Sequence, residues 1–255
     1  MIRETLRNIR RRLTQMRAHR QRQRGELAGV DWQSGLIEEN DFWERALGDP
    51  ERHWKLSEYR ERTDPNLELQ AELQQLIPAA PGSTVRILDV GSGPLTRIGK
   101  KWSGRTIEIT ATDPLAEKYA GLVIKLGVPQ LVPVLPVHAE KLAAKFPANH
   151  FDLAYASNCL DHAYDPVQAI RQMLELVKLG HFVYLWHFAN VGITERYTGL
   201  HQWNFDVKGN DFLISNGQVI ESLKQKIGAA AELSCEVTHA FDCRVVIARL
   251  KKLAR

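Results

Sequence analysis

Beyond residue 83 the hydrophobic pattern switches repeatedly between two periods. TVRILDV (84–90), TIEITAT, LVPVLPV, FDLAYAS and HFVYLWHF are short aliphatic, β-branched or aromatic runs of strand type. Between them PLAEKYAGLVIKLG, AEKLAAKF and DPVQAIRQMLELVKLG carry helical spacing. Such alternation predicts right-handed βαβ crossovers and a parallel sheet with helices on both faces. Further on, GQVIESLKQKIG predicts a helix, and AELSCEVTHA and CRVVIARL predict two successive strands forming an antiparallel pair at the sheet edge.

Ahead of this alternation the chain reads as helical and is rich in aromatics: Trp32, Phe42, Trp43, Trp54 and Tyr59. In NLELQAELQQLI, Leu69, Leu73, Leu76 and Ile77 line one helical face, with Asp64 expected as the cap and Pro65 in the first turn. PAAPGS breaks that helix and sets a boundary near residue 82. At the start, Ile2, Leu6, Ile9, Leu13 and Met16 form one apolar stripe, which predicts an amphipathic helix within residues 1–30.

Charge changes the picture only at that first segment. The first 24 residues hold nine arginines and one acid, a balance of +8, so the remaining chain is at −4 within a net +4. Such a helix suits an anionic membrane surface, a partner helix or RNA; the plain alternative is a solvated terminal helix packed loosely on its own domain. Cys159, Cys235 and Cys243 form no CxxC pair and match no zinc spacing, so a reducing, cytoplasmic setting is expected. With no secretory leader and no apolar run approaching bilayer length, neither export nor a membrane span is expected.

Candidate chemistry sits at the carboxyl ends of the strands, where open α/β sheets bind ligands. The first strand runs into LDVGSGPLTRIG, in which Gly91 and Gly93 allow a tight turn with backbone N–H groups close to a ligand. The third glycine of a dinucleotide fingerprint is replaced by Thr96, which argues against a pyrophosphate. Asp113 ends the second strand, where a carboxylate accepts bonds from ribose hydroxyls. Asp-Pro occurs four times, and each can be a plain helix cap, but only Asp113 follows a GxG turn by one βαβ unit. The combination favours a nucleoside ligand.

Across residues 84–250 the chain resembles the class I S-adenosylmethionine-dependent methyltransferases, on ILDVGSGP, Asp113, HAEKL (138–142) and FDLAYASNCLDHAYDP (151–166). The resemblance implies a Rossmann-like, doubly wound, mostly parallel seven-stranded sheet with an antiparallel edge strand and an N-terminal helical extension. It implies S-adenosyl-L-methionine as cofactor, with Asp89, Gly91, Ser92 and Gly93 at the methionine end and Asp113 at the ribose. Ala139 and Glu140 would flank the adenine, although the family's usual acidic position there falls at His138, and Asn158 would close the site. On this reading residues 31–82 cap the acceptor, residues 83–255 are the methyltransferase domain, and residues 190–215 are an acceptor-binding insert.

The Asn/Asp-Pro-Pro-Tyr signature of amide and adenine methylation is absent, since the fourth strand ends SNCLDH, and an O-methyl acceptor is expected instead. A hydroxyl must lose its proton to attack, and histidine is the usual base near neutral pH. His162, beside Asp161, ranks first and His201 second, with His187 on the fifth strand behind them. Asp161, His162 and Asp165 can also collect a divalent ion, but spacing alone does not establish one and no metal is expected. In YTGLHQWNFD (197–206), Tyr197, Gln202, Trp203 and Asn204 supply the aromatic face and polar groups that sugars require, or else plug the loop into the core. ENDFWERAL, NCLDH and GLHQWNF are similar to stretches of bacterial methyltransferases of polysaccharide and glycoconjugate biosynthesis. The expected acceptor is a sugar hydroxyl of a polysaccharide, glycolipid or nucleotide sugar. Residues 1–24 would dock the protein at the inner membrane surface or on a glycosyltransferase. A lipid, quinone or secondary-metabolite acceptor, and a non-catalytic RNA-binding protein, are the competing readings. The −4 of the remaining chain makes nucleic acid the weakest of these.

Overall fold

In the computed structural model of this protein the described residues are 30–253, with side chains described from Gly35. The expected basic helix therefore lies outside them except for its last residue. The N-terminal extension holds α1 (Val30–Gly48), α2 (Pro50–His53), α3 (Leu56–Thr63) and α4 (Ala71–Gln74). Strands β1 (Thr84–Val90), β2 (Thr106–Thr112), β3 (Val134–Leu135), β4 (Phe151–Ser157) and β5 (Val177–Phe188) follow, with α5 (Ala116–Leu126) after β2 and α6 (Pro166–Leu176) after β4. Then come α7 (Val191–Thr194), β6 (Asn204–Val207), β7 (Phe212–Ser215), β8 (Ile220–Ser222), α8 (Leu223–Ile227), β9 (Ala231–Ala240) and β10 (Cys243–Lys252).

The main sheet has seven strands in the order β3-β2-β1-β4-β5-β10-β9. β1 to β5 run parallel, and β10 runs antiparallel to both β5 and β9, so the closing hairpin carries the one reversed strand. Strand order reverses between β1 and β4, which places the ligand crevice at their carboxyl ends.

The central strands are apolar on both sides, as buried parallel strands must be. Alternation distributes their side chains between two cores. Leu88, Val90, Ala154, Ala156, Val183 and Leu185 face α6 and the insert. Val85, Ile87, Leu153, Tyr155 and Tyr184 face Leu69, Leu73 and Ile77 of the extension. A third cluster joins Trp43, Ala46 and Leu47 of α1 to Tyr119, Leu122 and Val123 of α5.

Several local expectations change. Asp64 does not start a helix: its N–H bonds Glu61 at the end of α3, and its carboxylate accepts from Asn66 N–H at 2.8 Å in a turn. The 69–77 stripe is buried as expected, yet only Ala71–Gln74 is α-helical, because Leu69 N–H bonds Lys101 C=O at 2.7 Å and ties the backbone to the loop after β1. AEKLAAKF is a 3₁₀ turn (Ala139–Ala144), and LVPVLPV pairs over two residues only. The helix expected through residue 180 stops at Leu176, where Val177 pairs with Phe151 and begins β5. GQVIESLKQKIG splits into β8 and α8, because Ile220–Ser222 joins β6 and β7 in a separate three-stranded sheet. The insert is thus built structure whose β6 and β7 bury Phe205, Phe212 and Ile214 against the main core.

Candidate active site

β1 delivers the chain into a turn with Gly91 at φ +65° and Gly93 at φ +64°, the left-handed region that favours glycine. Space is also short: a Cβ on Gly91 would lie 2.5 Å from Cys159 Cβ, and one on Gly93 would lie 2.7 Å from the Trp43 ring. The turn hangs on β2 through Gly91 and Ser92 N–H groups, both donating to Thr112 C=O. Thr96 occupies the place of the missing third glycine, and its hydroxyl donates to Asp89. Asp89 is buried beneath the turn, and burial pushes its carboxyl up to about 6.

Asp113 is brought to the same point from β2. One carboxylate oxygen accepts from Gly93 N–H at 3.1 Å and the other from Leu115 N–H at 2.9 Å. Burial dominates and pushes this carboxyl up to about 7, despite those two donors. Asp113 does not cap α5, whose cap position is Leu115 with no side-chain cap bond.

Two cavities meet here. The first is a slot lined by Val90, Asp113, Leu115, Val137, Ala139 and Leu160, with His138 and Glu140 also at its wall. Glu140 fixes that wall by accepting from Tyr164 and Asp165 N–H, and His138 stacks on Tyr164. The second cavity, about 380 Å³, is floored by Asp89, Gly91, Ser92, Gly93 and Asn158 and walled by aromatic rings. Gly91, Asp113, Cys159 and His162 line both. The residues expected to hold the cofactor therefore converge on one continuous crevice.

At the junction of the cavities Asp161, His162 and His201 form a cluster. His201 Nδ1 is 2.7 Å from Asp161 Oδ2, His162 Nε2 is 3.0 Å from His201 Nδ1, and His162 Nε2 is 3.4 Å from the same Asp161 oxygen. Asp161 is buried, which alone would raise its carboxyl, yet the two histidines outweigh burial and hold it at about 2. His201 moves the other way: burial lowers it, and Asp161 raises it above the ordinary histidine value. The chain itself sets this geometry, because Gln202 N–H donates to Asp161 C=O at 2.9 Å and locks the insert onto the loop after β4.

Other expected residues take different places. Asp165, weighed as a metal ligand, caps α6 by accepting from Gln168 N–H at 2.9 Å. His187 is buried against Phe205, lines neither cavity, and burial pushes it down to about 4, unlike a base poised for neutral pH. Tyr197, Gln202, Trp203 and Asn204, expected to hold the acceptor, also line neither cavity. Their polar groups bond within the insert or to the loop after β4: Gln202 donates to Gly199 C=O, Trp203 to Ala163 C=O, and Asn204 to the Tyr197 hydroxyl and Ser215 C=O. Asn204 also accepts from Ile193 N–H. The same motif carries His201 to Asp161.

Several site residues were not anticipated. Arg62 of α3 is partly buried, donates to Leu95 C=O at 2.7 Å and lies against Trp43 and Trp54, clamping the glycine turn from the extension. Glu39 of α1 lines both cavities. The wall of the larger cavity comes from Phe42, Trp54, Trp186, Phe188 and Phe241, with Lys55 and Arg97 among them. The cluster of aromatics before residue 82 was the available signal; Arg97 and Phe241 carried none, since only folding brings them there.

The order of the sheet, the glycine turn and the carboxylate at the end of the second strand define a Rossmann-like α/β fold with a crevice at its switch point. Residues 88–185, from β1 through most of β5, match the family described as "Methyltransferase domain". Over those residues the chain carries a methyltransferase domain. No curated protein matches the chain. Among solved structures it is similar to a Burkholderia thailandensis 1,6-didemethyltoxoflavin-N1-methyltransferase, with 14% identity over 89% of this chain and 92% of that one (TM-score 0.49). A SAM-dependent methyltransferase from Aquifex aeolicus shares 16% identity over 82% and 96% (TM-score 0.46). One from Methanosarcina mazei shares 16% over 74% and 100% (TM-score 0.44).

Proposed function

We propose that this enzyme transfers a methyl group from S-adenosylmethionine to a hydroxyl of a sugar-containing acceptor. The observation that carries the reading is the position of His162: it lines both the nucleoside slot and the aromatic cavity, in contact with Asp161 and His201. A group at that junction faces the place where the sulfonium methyl meets its acceptor. Adenine would lie in the slot between Leu115, His138 and Ala139, the ribose at Asp113, and the methionine end over Asp89 and the Gly91–Gly93 turn. The Asp161–His162–His201 cluster takes up the acceptor proton as the oxygen attacks, with alignment and exclusion of water supplying most of the acceleration. In the larger cavity aromatic faces provide the stacking that pyranose rings use, and Lys55 and Arg97 suit the phosphate or carboxylate of an activated or acidic sugar.

The same aromatic wall favours a second reading, a planar small-molecule acceptor such as a quinone or an aromatic secondary metabolite. Transfer of labelled methyl from S-adenosylmethionine into nucleotide sugars, glycans, quinones and lipids separates the two. Incorporation into a carbohydrate, with kcat falling at least about 100-fold in His162→Ala while S-adenosylhomocysteine affinity is kept, supports the first. Label appearing only in the planar acceptors overturns it.

A further inference from the structure

We infer that Asp161, His162 and His201 are the ligands of a first-row divalent cation seated at the acceptor end of the crevice. Their three facing atoms form a triangle with sides of 2.7, 3.0 and 3.4 Å. Three N and O ligands held about 2.1 Å from one ion stand about 3.0 Å apart at right angles and about 3.4 Å apart at tetrahedral angles. A point about 2.1 Å from all three atoms lies about 1.1 Å out of their plane. That is the shape of one face of a coordination polyhedron.

Hydrogen bonding explains the triangle less well. His201 Nδ1 has one proton or one lone pair to offer, yet it lies within bonding distance of both a carboxylate and a second ring nitrogen. A second observation points to a ligand: Asp161 is 1% exposed, and its other oxygen, Oδ1, is buried with no hydrogen-bond partner among the described residues. A fully desolvated carboxylate with one oxygen lacking a donor is costly, and a cation on the neighbouring Oδ2 would neutralise the charge that the two oxygens share. Two imidazoles with one carboxylate leave the remaining coordination positions open, a set that suits Fe²⁺, Mn²⁺, Co²⁺ or Zn²⁺. Both histidines line the larger cavity, so those positions are within reach of an acceptor.

The catalytic consequence rests on the methyl-transfer reading and changes how the proton is lost. With an ion bound, the histidines are ligands, and an acceptor hydroxyl on the ion is acidified as bound water is. Its proton passes to water leaving the cavity. The oxygen–carbon bond forms as the carbon–sulfur bond breaks, and the electron pair stays on the sulfur of the departing S-adenosylhomocysteine.

The test is titration of the chelator-treated, full-length protein with Co²⁺, read by visible d–d absorption and by calorimetry. Wild type should bind one equivalent, and His201→Ala and Asp161→Asn should each weaken binding by at least about 100-fold, since even outer-sphere partners cost 10- to 100-fold. S-adenosylhomocysteine binding within about twofold of wild type in His201→Ala would show that this variant is folded. Absence of Co²⁺ binding in a wild type that binds S-adenosylhomocysteine overturns the site, as does equal Co²⁺ affinity in the folded variant. Methyl transfer undiminished by chelator overturns the catalytic role of the ion and leaves methyl transfer standing. Failure of S-adenosylhomocysteine to bind, with Co²⁺ bound as expected, sinks the transfer reading and leaves the metal site.

Discussion

Asp113, proposed to hold the ribose, also carries a pH dependence. Burial raises its folded value to about 7, against an unfolded value near 3.9, so between these the folded protein keeps a proton that the unfolded chain has released. Its stabilising contribution is complete below about pH 4 and is lost as the pH rises through about 7. The cofactor-free protein should therefore melt at lower temperature at pH 8 than at pH 5. Asp113→Asn, with no proton to lose, should remove up to about 4 kcal/mol of that dependence. Thermal melts of both proteins across this range check it. Asp89, raised to about 6, acts in the same direction and should leave a residual slope in the variant. Asp113→Ala should in addition abolish or strongly weaken S-adenosylhomocysteine binding by calorimetry; unchanged affinity would remove the ribose role.

At the scale of elements, the insert is the part whose side chains are placed most differently from expectation. Gln202 and Asn204 of YTGLHQWNFD bond within the insert, Trp203 donates to Ala163 C=O, and the loop they stiffen brings His201 across to Asp161. Asn204 is the centre of this arrangement, bonded to Ile193, Tyr197 and Ser215. Asn204→Ala should cost about 1–3 kcal/mol, the range for a buried polar partner removed. It should also lower kcat by displacing His201, with S-adenosylhomocysteine affinity unchanged. Denaturant melts paired with acceptor kinetics test this: a raised acceptor KM at unchanged stability would return the motif to acceptor binding. The extension plays a corresponding part on the other side, where Trp43 packs on Gly93 and Arg62 holds the carbonyl of Leu95.

For the whole molecule the division of charge matters most. A +8 segment of 24 residues precedes a remainder at −4, and among the described residues no helix is long and apolar enough to cross a membrane. Removing residues 1–24 should leave methyl transfer to a soluble acceptor intact while reducing recovery with anionic vesicles, most clearly at low salt. Vesicle sedimentation of the two forms decides it, and equal recovery would remove the docking role.

The sequence by itself determined what depends on local pattern. Period-two runs specified the strands, the GxG turn and Asp113 marked the crevice at the carboxyl ends of the strands, and SNCLDH placed Asp161 and His162 beside it. It overreached where local pattern and tertiary pairing compete. Leu69–Ile77 and 217–228 have helical spacing, but backbone pairing with Lys101 and with β7 overrides it. Long-range packing, which local pattern does not encode, sets which polar side chains of the insert line the crevice. A side chain's direction depends on partners distant in sequence: Trp203 finds its acceptor at Ala163, and His201 finds Asp161 forty residues back. The same long-range closure gathers Lys55, Arg97, Trp186 and Phe241 into one wall, and it holds two imidazoles and a carboxylate at the mutual distances of a ligand set.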